Sequence, residues 1–203
     1  MVMSWPSLLR TARRMVRLTQ EDFAADLGRS QSTVALWETG RRPVPPAVRR
    51  RVLDIMAGYY HRQPRYEAVV AQVAAVQNPV TLYRQGMFVQ AANPTIEAAW
   101  TDHRLNMIGA CILPLYRAEL RLSDMLEPYL LPMLDGRSEV LSISFNDRSL
   151  LMPHRLCRRT ATVCQLGEGR LLVFEDRFIG EDPNPGLPPA DLRLLTTDDA
   201  AVD

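Results

Sequence analysis

Apolar side chains recur at helical spacing through the first 57 residues, and glycine or proline interrupts them at intervals. The spacing predicts a helix over residues 7–17, two short helices on either side of Gly28, and a further helix over residues 46–57. Thr19 and Ser30 stand where they cap the two short helices, with Asp22 as the reciprocal partner of Thr19. Two short helices joined by a turn that contains glycine have the spacing of a DNA-binding helix-turn-helix.

The next part of the chain predicts a linker followed by an apolar helix. Gly58 breaks the preceding helix, and Pro64 marks residues 59–65 as a linker. From Tyr66 to Gln77, apolar side chains cover more than half of the helix circumference, which is wider than the stripe of a surface helix. We expect this helix to be buried on two sides, either against a partner subunit or within its own domain.

Apolar runs and turn residues in the remainder predict a sheet. Residues 80–83 and 87–91 flank an Arg-Gln-Gly turn and predict a hairpin, and Asn93 with Pro94 opens a helix to about residue 101. Residues 122–133 predict a helix that Pro128 breaks or kinks. Three more strands are predicted over residues 141–145, 151–162 and 171–174. The fold class is therefore α+β: an all-α N-terminal bundle, then a five-stranded antiparallel sheet with helices on one face.

The formal net charge of +1 conceals an uneven distribution. Residues 1–62 carry eleven arginines and five acidic residues, whereas the remainder carries thirteen arginines and eighteen acidic residues. Basic character is confined to the segment with helix-turn-helix spacing, and phosphate binding requires such charge. We assign Arg41 and Arg42, which follow the second short helix, to phosphate contacts. Arg49, Arg50 and Arg51 fit phosphate contacts or a solvated helix face equally well.

Residues 7–57 resemble the Cro and phage-repressor (Xre) family of helix-turn-helix domains. The matching residues are Leu18, Thr19, Gln20, Ala24, Leu27, Gly28, Ser30, Val34, Trp37, Glu38 and Gly40. The resemblance implies that Gln20 contacts a phosphate, that the start of the second helix faces base edges, and that Glu38 is a polar residue at the helix end. Leu36 departs from the longer polar side chain common at its position, and it is limited to apolar contact with a thymine methyl group. The predicted DNA-binding set is Gln20, Arg29, Ser30, Gln31, Ser32, Thr33, Leu36, Arg41 and Arg42.

Residues 66–178 resemble the PAS sensory family in their order of helix, two strands, short helices and three strands. The motifs are the run from Gly86 to Pro94, Trp100, the Met-Ile-Gly sequence at 107–109, and a last strand that ends in Glu175 and Asp176. The resemblance implies a cupped sheet with an internal pocket, dimerisation through the flanking helix over 66–77, and signalling by a ligand or a partner. We therefore expect a helix-turn-helix domain over residues 1–58 and a PAS-like domain over residues 66–180.

The contents of the implied pocket stay open between the domain's own side chains and an unknown small-molecule ligand. His103 and His154 are the only histidines of this domain and its candidate haem ligands, but a lone histidine is more commonly a surface residue, so we expect no haem. No flavin-attachment motif surrounds Cys111. Cys111, Cys157 and Cys164 are odd in number and widely spaced, which predicts reduced thiols and no metal site.

Residues 181–203 carry six acidic residues and one arginine among several prolines, which predicts a disordered acidic tail. The chain shows neither a secretory signal nor a membrane-spanning run, which predicts a cytoplasmic protein. The combined expectation is a homodimeric transcription regulator that binds duplex DNA. An antitoxin-like interaction protein that autoregulates its own promoter is the alternative. We expect no enzyme, because the sequence shows no paired carboxylates, nucleophile with a base, or phosphate-binding loop.

Overall fold

The computed structural model describes residues 4–118, 124–148, 155–181 and 192–196. The chain divides into two compact units. The first consists of Met1–Glu67 with Leu166–Gly169, and the second of Ala68–Gln165 with Arg170–Asp203. An N-terminal helical region followed by an antiparallel sheet with helices confirms the α+β class.

Four helices form the body of the first unit. They are α1 Trp5–Met15, α2 Gln20–Asp26, α3 Gln31–Glu38 and α4 Pro46–His61. Each has an apolar stripe that turns inward, because Leu9, Phe23, Val34 and Val52 are all 0% exposed. The two short helices predicted on either side of Gly28 are thereby confirmed.

Helix α4 passes through Gly58, so the expected helix break there is wrong, and the first three residues of the expected linker over 59–65 are helical. A glycine inside a helix costs only about 1 kcal/mol relative to alanine. Burial outweighs that cost, because Tyr60 is 0% exposed and Tyr59 is 8% exposed. The helix ends instead at His61, with Arg62 as its C-cap.

Helix α5, Tyr66–Ala75, follows and is buried on one side only. Tyr66 and Val73 are buried, seven residues and therefore two turns apart, whereas Ala68, Ala71 and Ala74 are exposed. The expectation that α5 is buried on two sides within its own domain is therefore wrong.

Six strands make one sheet in the second unit: β1 Val80–Arg84, β2 Phe88–Ala92, β3 Val140–Arg148, β4 Arg155–Leu166, β5 Gly169–Glu181 and β6 Leu192–Thr196. Their order across the sheet is β2-β1-β5-β4-β3-β6. The predicted hairpin is confirmed, since β1 pairs with β2 antiparallel, from Thr81 opposite Ala92 to Arg84 opposite Phe88. The two strands are joined by residues 85–87, in which Gly86 and Met87 have positive φ.

The described residues between β2 and β3 include four helical segments: α6 Pro94–Asp102, α7 Leu113–Ala118, a π-helical turn Leu126–Leu130, and α8 Leu131–Asp135. Pro128 lies in the π-helical turn, in agreement with the predicted break or kink. Side chains from these segments pack with residues of the sheet in one apolar cluster. Its fully buried members include Leu130, Met133, Leu134, Ile143 and Leu172.

The expectation of a disordered tail over residues 181–203 is wrong for residues 192–196, which form β6. This strand pairs antiparallel with β3, with Ile143 opposite Leu194 and Phe145 opposite Leu192. A five-residue segment orders there without a core of its own, because the edge of β3 supplies partners for its backbone N–H and C=O groups. Within the described part of the chain, no helix is long and apolar enough to cross a membrane.

Candidate nucleic-acid interface

Local hydrogen bonds fix the two helices of the helix-turn-helix in place. The Thr19 hydroxyl accepts a hydrogen bond from the Asp22 N–H at 3.1 Å and donates one to the Asp22 carboxylate at 2.6 Å, which confirms the predicted cap of α2. The turn after α2 uses Gly28 at φ 63°, and the Arg29 N–H donates to the Ala24 carbonyl at 2.8 Å. Both ends of α2 are thus determined by residues within ten positions of one another.

Helix α3 begins at a cluster of three hydroxyl groups. The Ser30 hydroxyl accepts a hydrogen bond from the Thr33 N–H at 3.3 Å. It also lies 2.9 Å from the Thr33 hydroxyl and 3.1 Å from the Ser32 hydroxyl. The predicted cap is confirmed, and it holds the side chains of the first turn of α3 close together.

Opposite faces of α3 differ in chemistry. Val34 is 0% exposed and Trp37 is 2% exposed, so this stripe packs into the helical core. Gln31 and Ser32 are exposed, and Leu36 is 38% exposed. The outward face therefore offers an amide, a hydroxyl and one aliphatic group, which are the groups that pair with adenine edges and thymine methyls.

A buried ion pair joins the first three helices and was missed from the sequence. Glu38 at the end of α3 is 4% exposed, and both of its carboxylate oxygens are occupied. Arg13 of α1 donates to Oε1 at 2.8 Å and to Oε2 at 3.2 Å, and Gln20 of α2 donates to Oε2 at 2.8 Å. The sequence did contain a signal that Glu38 is buried: it lies four residues after Val34 and therefore on the buried stripe of α3.

The charge of Glu38 is maintained by this network. Burial alone would raise the pKa of the Glu38 carboxyl, but the hydrogen bonds from Arg13 and Gln20, together with the nearby positive charge, hold that pKa below its ordinary value. The same contacts raise the pKa of Arg13. The pair is therefore fully charged at neutral pH.

Gln20, predicted as a phosphate contact, is half-buried and donates to Glu38 through its side-chain amide. A primary amide carries two N–H groups, so one donor remains for a second acceptor. The ion pair with Arg13 and the bond to Gln20 together fix the orientation of that amide at the start of α2.

The arginines considered for phosphate contacts differ in their surroundings. Arg29, Arg41 and Arg42 are exposed at the two ends of α3. Arg49 instead donates to the Val44 carbonyl at 2.8 Å, and its guanidinium stands 5.1 Å from the Trp5 ring centroid. Arg49 thus has contacts within the domain, which neither of the two alternatives for the 49–51 cluster anticipated.

The second unit contains a buried ionic cluster on the core face of its sheet. Arg159 is 1% exposed, with its Nη1 3.2 Å from the Asp147 carboxylate and its Nε 3.3 Å from the Asp176 carboxylate. Burial raises the pKa of Asp176 despite the attraction of Arg159. Burial also raises the pKa of the neighbouring Cys157 thiol to about 12. Strand alternation places Cys157, Arg159 and Ala161 on one face, but the two aspartates come from other strands, so sequence reasoning missed the cluster.

Only one of the two candidate haem ligands lies in the described part of the chain. His103 is exposed at the end of α6, and His154 lies outside the described residues. Cys111 and Cys164 are half-buried thiols, and the Cys111 Sγ donates to the Gly86 carbonyl at 3.4 Å. In the described ranges, no three His, Cys, Asp or Glu side chains are grouped so as to hold a metal ion.

Comparison with known proteins agrees with this geometry. None of the curated proteins matches the chain. Residues 7–69 match a protein-family model described as a helix-turn-helix domain, which spans α1 to α4 and enters α5. The N-terminal part of this chain is a helix-turn-helix domain, which supports a DNA-binding regulator.

Proposed function

We propose that the protein is a dimeric, sequence-specific DNA-binding transcription regulator of the Xre type, with a PAS-like C-terminal domain for dimerisation. The observation that carries the proposal is the outward face of α3. Gln31, Ser32 and Leu36 project from a helix whose opposite face is anchored by buried Val34 and Trp37. This face lies in the segment that holds the excess positive charge of the chain.

In the proposed mechanism, the N-terminal part of α3 enters the major groove. Gln31 pairs with an adenine through two hydrogen bonds, to N6 and N7. Ser32 and Thr33 contact adjacent base edges, and Leu36 packs on a thymine methyl group. Because Leu36 forms no hydrogen bond, most of the discrimination by this helix rests on Gln31.

Phosphate contacts position the helix in the groove. The remaining amide N–H of Gln20 is proposed to donate to a backbone phosphate, and Glu38 holds that amide in place. Arg29, Arg41 and Arg42 at the two ends of α3 supply positive charge next to the strands. These contacts set affinity and register, whereas the base contacts set specificity.

The second unit supports a PAS-like dimerisation module. Its order of helix, two strands, short helical segments and three strands is the order that the resemblance implies, followed by β6. Its apolar cluster contains fully buried side chains from both the helices and the sheet. This packing favours the alternative in which the domain's own side chains fill the implied pocket. The exposed apolar face of α5 is the proposed contact with a second copy. A dimer then binds two half-sites spaced by roughly 34 Å.

The test is a selection of bound sequences from a random duplex pool by the full chain, followed by affinity measurements on the selected DNA. We expect Gln31→Ala to weaken binding to that DNA by about 1–3 kcal/mol and to leave binding to unrelated DNA unchanged. Gln165→Ala, which truncates an exposed glutamine of β4 outside the helix-turn-helix, is the matched control. Unaltered binding of the Gln31→Ala protein to the selected DNA would refute the proposed base contact.

A further inference from the structure

A single buried asparagine joins the end of α5 to the sheet. Asn93 is 0% exposed and its side chain makes four hydrogen bonds. Its Nδ2 donates to the carbonyls of Val76 at 2.8 Å and Asn78 at 2.7 Å. Its Oδ1 accepts from the N–H groups of Val80 at 3.1 Å and Ile96 at 3.2 Å.

The four bonds serve two separate purposes. The accepted bonds cap α6 and attach it to the first residue of β1. The donated bonds reach the two carbonyls that follow α5, which ends at Ala75. An N-cap needs only the accepted bonds, because a capping side chain acts through its oxygen. The two donated bonds are therefore additional to the capping role of Asn93.

Neighbouring contacts restrain the same short segment, residues 76–79. The Thr95 hydroxyl donates to the Gln77 carbonyl at 3.0 Å, and the Asn78 amide donates to the Glu175 carboxylate at 2.8 Å. The Asp176 N–H donates to the Pro79 carbonyl at 2.9 Å. Each of the four residues between α5 and β1 thus bonds to α6, its cap or β5.

We infer that Asn93 is a positioning residue for DNA binding: its two donated hydrogen bonds fix the direction in which α5 leaves the sheet. The inference rests on the proposed dimeric regulator. Helix α5 begins in the first unit, at Tyr66, and ends in the second, so it is one of the covalent connections between the DNA-binding and sheet units. The others flank residues 166–169, which the chain contributes to the first unit between β4 and β5. In a dimer built on the sheet unit, a fixed α5 restricts where the two helix-turn-helix domains lie. Once one helix-turn-helix domain of the dimer has bound its half-site, the other must reach the second half-site. A mobile α5 lowers the effective concentration of that other domain at its half-site, so simultaneous binding depends on a fixed α5.

The substitution Asn93→Asp separates the two purposes. Aspartate is an equally good N-cap and keeps the oxygen that accepts from Val80 and Ile96. An ionised carboxylate has no N–H to donate, so the carbonyls of Val76 and Asn78 lose their partner and face a carboxylate oxygen that repels them. Thr101→Val is a control in the same helix, since the Thr101 hydroxyl bonds only to the Glu97 carbonyl at 2.9 Å. Ile143→Val is a second control, which destabilises the sheet core without touching residues 76–79.

The experiment measures affinity of the full chain for DNA with one half-site and for DNA with two half-sites at a series of spacings. For Asn93→Asp we expect the affinity for one half-site to stay within about twofold of wild type. The affinity for two half-sites should fall by about fivefold or more, which is the low end of the coupling between linked sites. The dependence on spacing should flatten, and both controls should keep the wild-type profile. Flattening is the readout that a merely structural loss of stability would not produce.

Three other results would overturn the inference, and they are distinguishable. A wild-type protein that prefers two half-sites, with Asn93→Asp retaining the same spacing profile, would refute the role of Asn93 alone. The same flattening in Ile143→Val would also refute it, because the effect would then follow stability. A wild-type protein that binds one and two half-sites equally would refute the dimeric regulator, and this inference with it.

Discussion

Replacing Glu38 with glutamine tests the energetic role of the buried ion pair in the helix-turn-helix domain. The change keeps the shape of the side chain but removes the charge that faces Arg13. Leaving one partner of a buried pair uncompensated costs about 3–5 kcal/mol. The Glu38 side chain is 3% exposed but that of Arg13 is 18% exposed, so water partly solvates the remaining guanidinium. We therefore expect Glu38→Gln to lower the free energy of unfolding by about 3 kcal/mol at pH 7.

The pH dependence of this loss follows from the pKa of Glu38. That pKa is lower in the folded than in the unfolded chain, whose ordinary value is 4.5. A carboxyl with a lowered folded pKa contributes its stabilisation above the unfolded pKa and loses it as the pH falls through the folded pKa. The difference between wild type and Glu38→Gln should therefore be constant above about pH 5.5 and shrink as the pH falls below 4.5.

Urea unfolding, followed by pulsed hydrogen exchange of the α1 to α3 amides, reports on this domain separately from the sheet unit. Asp54→Asn is the matched control, because Asp54 pairs with Arg50 at 3.8 Å on the surface, with side-chain exposures of 57% and 83%. We expect that control to change stability by less than about 0.5 kcal/mol. A Glu38→Gln protein as stable as the control, or a stability difference that persists unchanged at pH 3, would refute the reasoning.

Two further predictions concern single side chains. Arg42→Ala should weaken binding to all duplex DNA and reduce the slope of log affinity against log salt by about one, whereas Arg137→Ala in the sheet unit should leave the slope unchanged. An unchanged slope for Arg42→Ala would exclude its phosphate contact. In native protein at pH 8, N-ethylmaleimide should modify the half-buried Cys164 well before buried Cys157, whose pKa of about 12 leaves roughly one thiol in ten thousand ionised. Equal rates for the two thiols in native protein would contradict the burial of Cys157.

The helix-turn-helix was predictable because its signals are local. The caps Thr19 and Ser30 act on N–H groups three residues away, and Gly28 ends α2 through its own backbone conformation. The outward position of Gln31 follows from these boundaries and helical spacing alone. The exposure of Gln31, Ser32 and Leu36 on α3 therefore follows from local signals alone.

Features that depend on distant partners were not predictable in the same way. Glu38 is 25 residues from Arg13, so the local pattern places Glu38 on the buried stripe of α3 but does not identify its partner. Strand β6 forms only because the edge of β3 accepts it. Helix α4 continues past Gly58 because Tyr59 and Tyr60 are buried, which outweighs the local preference of glycine.

The central claim, that Gln31 on α3 reads bases for a dimeric regulator, is tested most directly by crosslinking and sequencing the DNA bound in cells by wild type and by Gln31→Ala. The account predicts a set of wild-type sites that share a palindrome with half-sites about one helical turn apart, and loss of those sites in the variant. Wild-type binding without a shared motif, or sites that persist in Gln31→Ala, would contradict it.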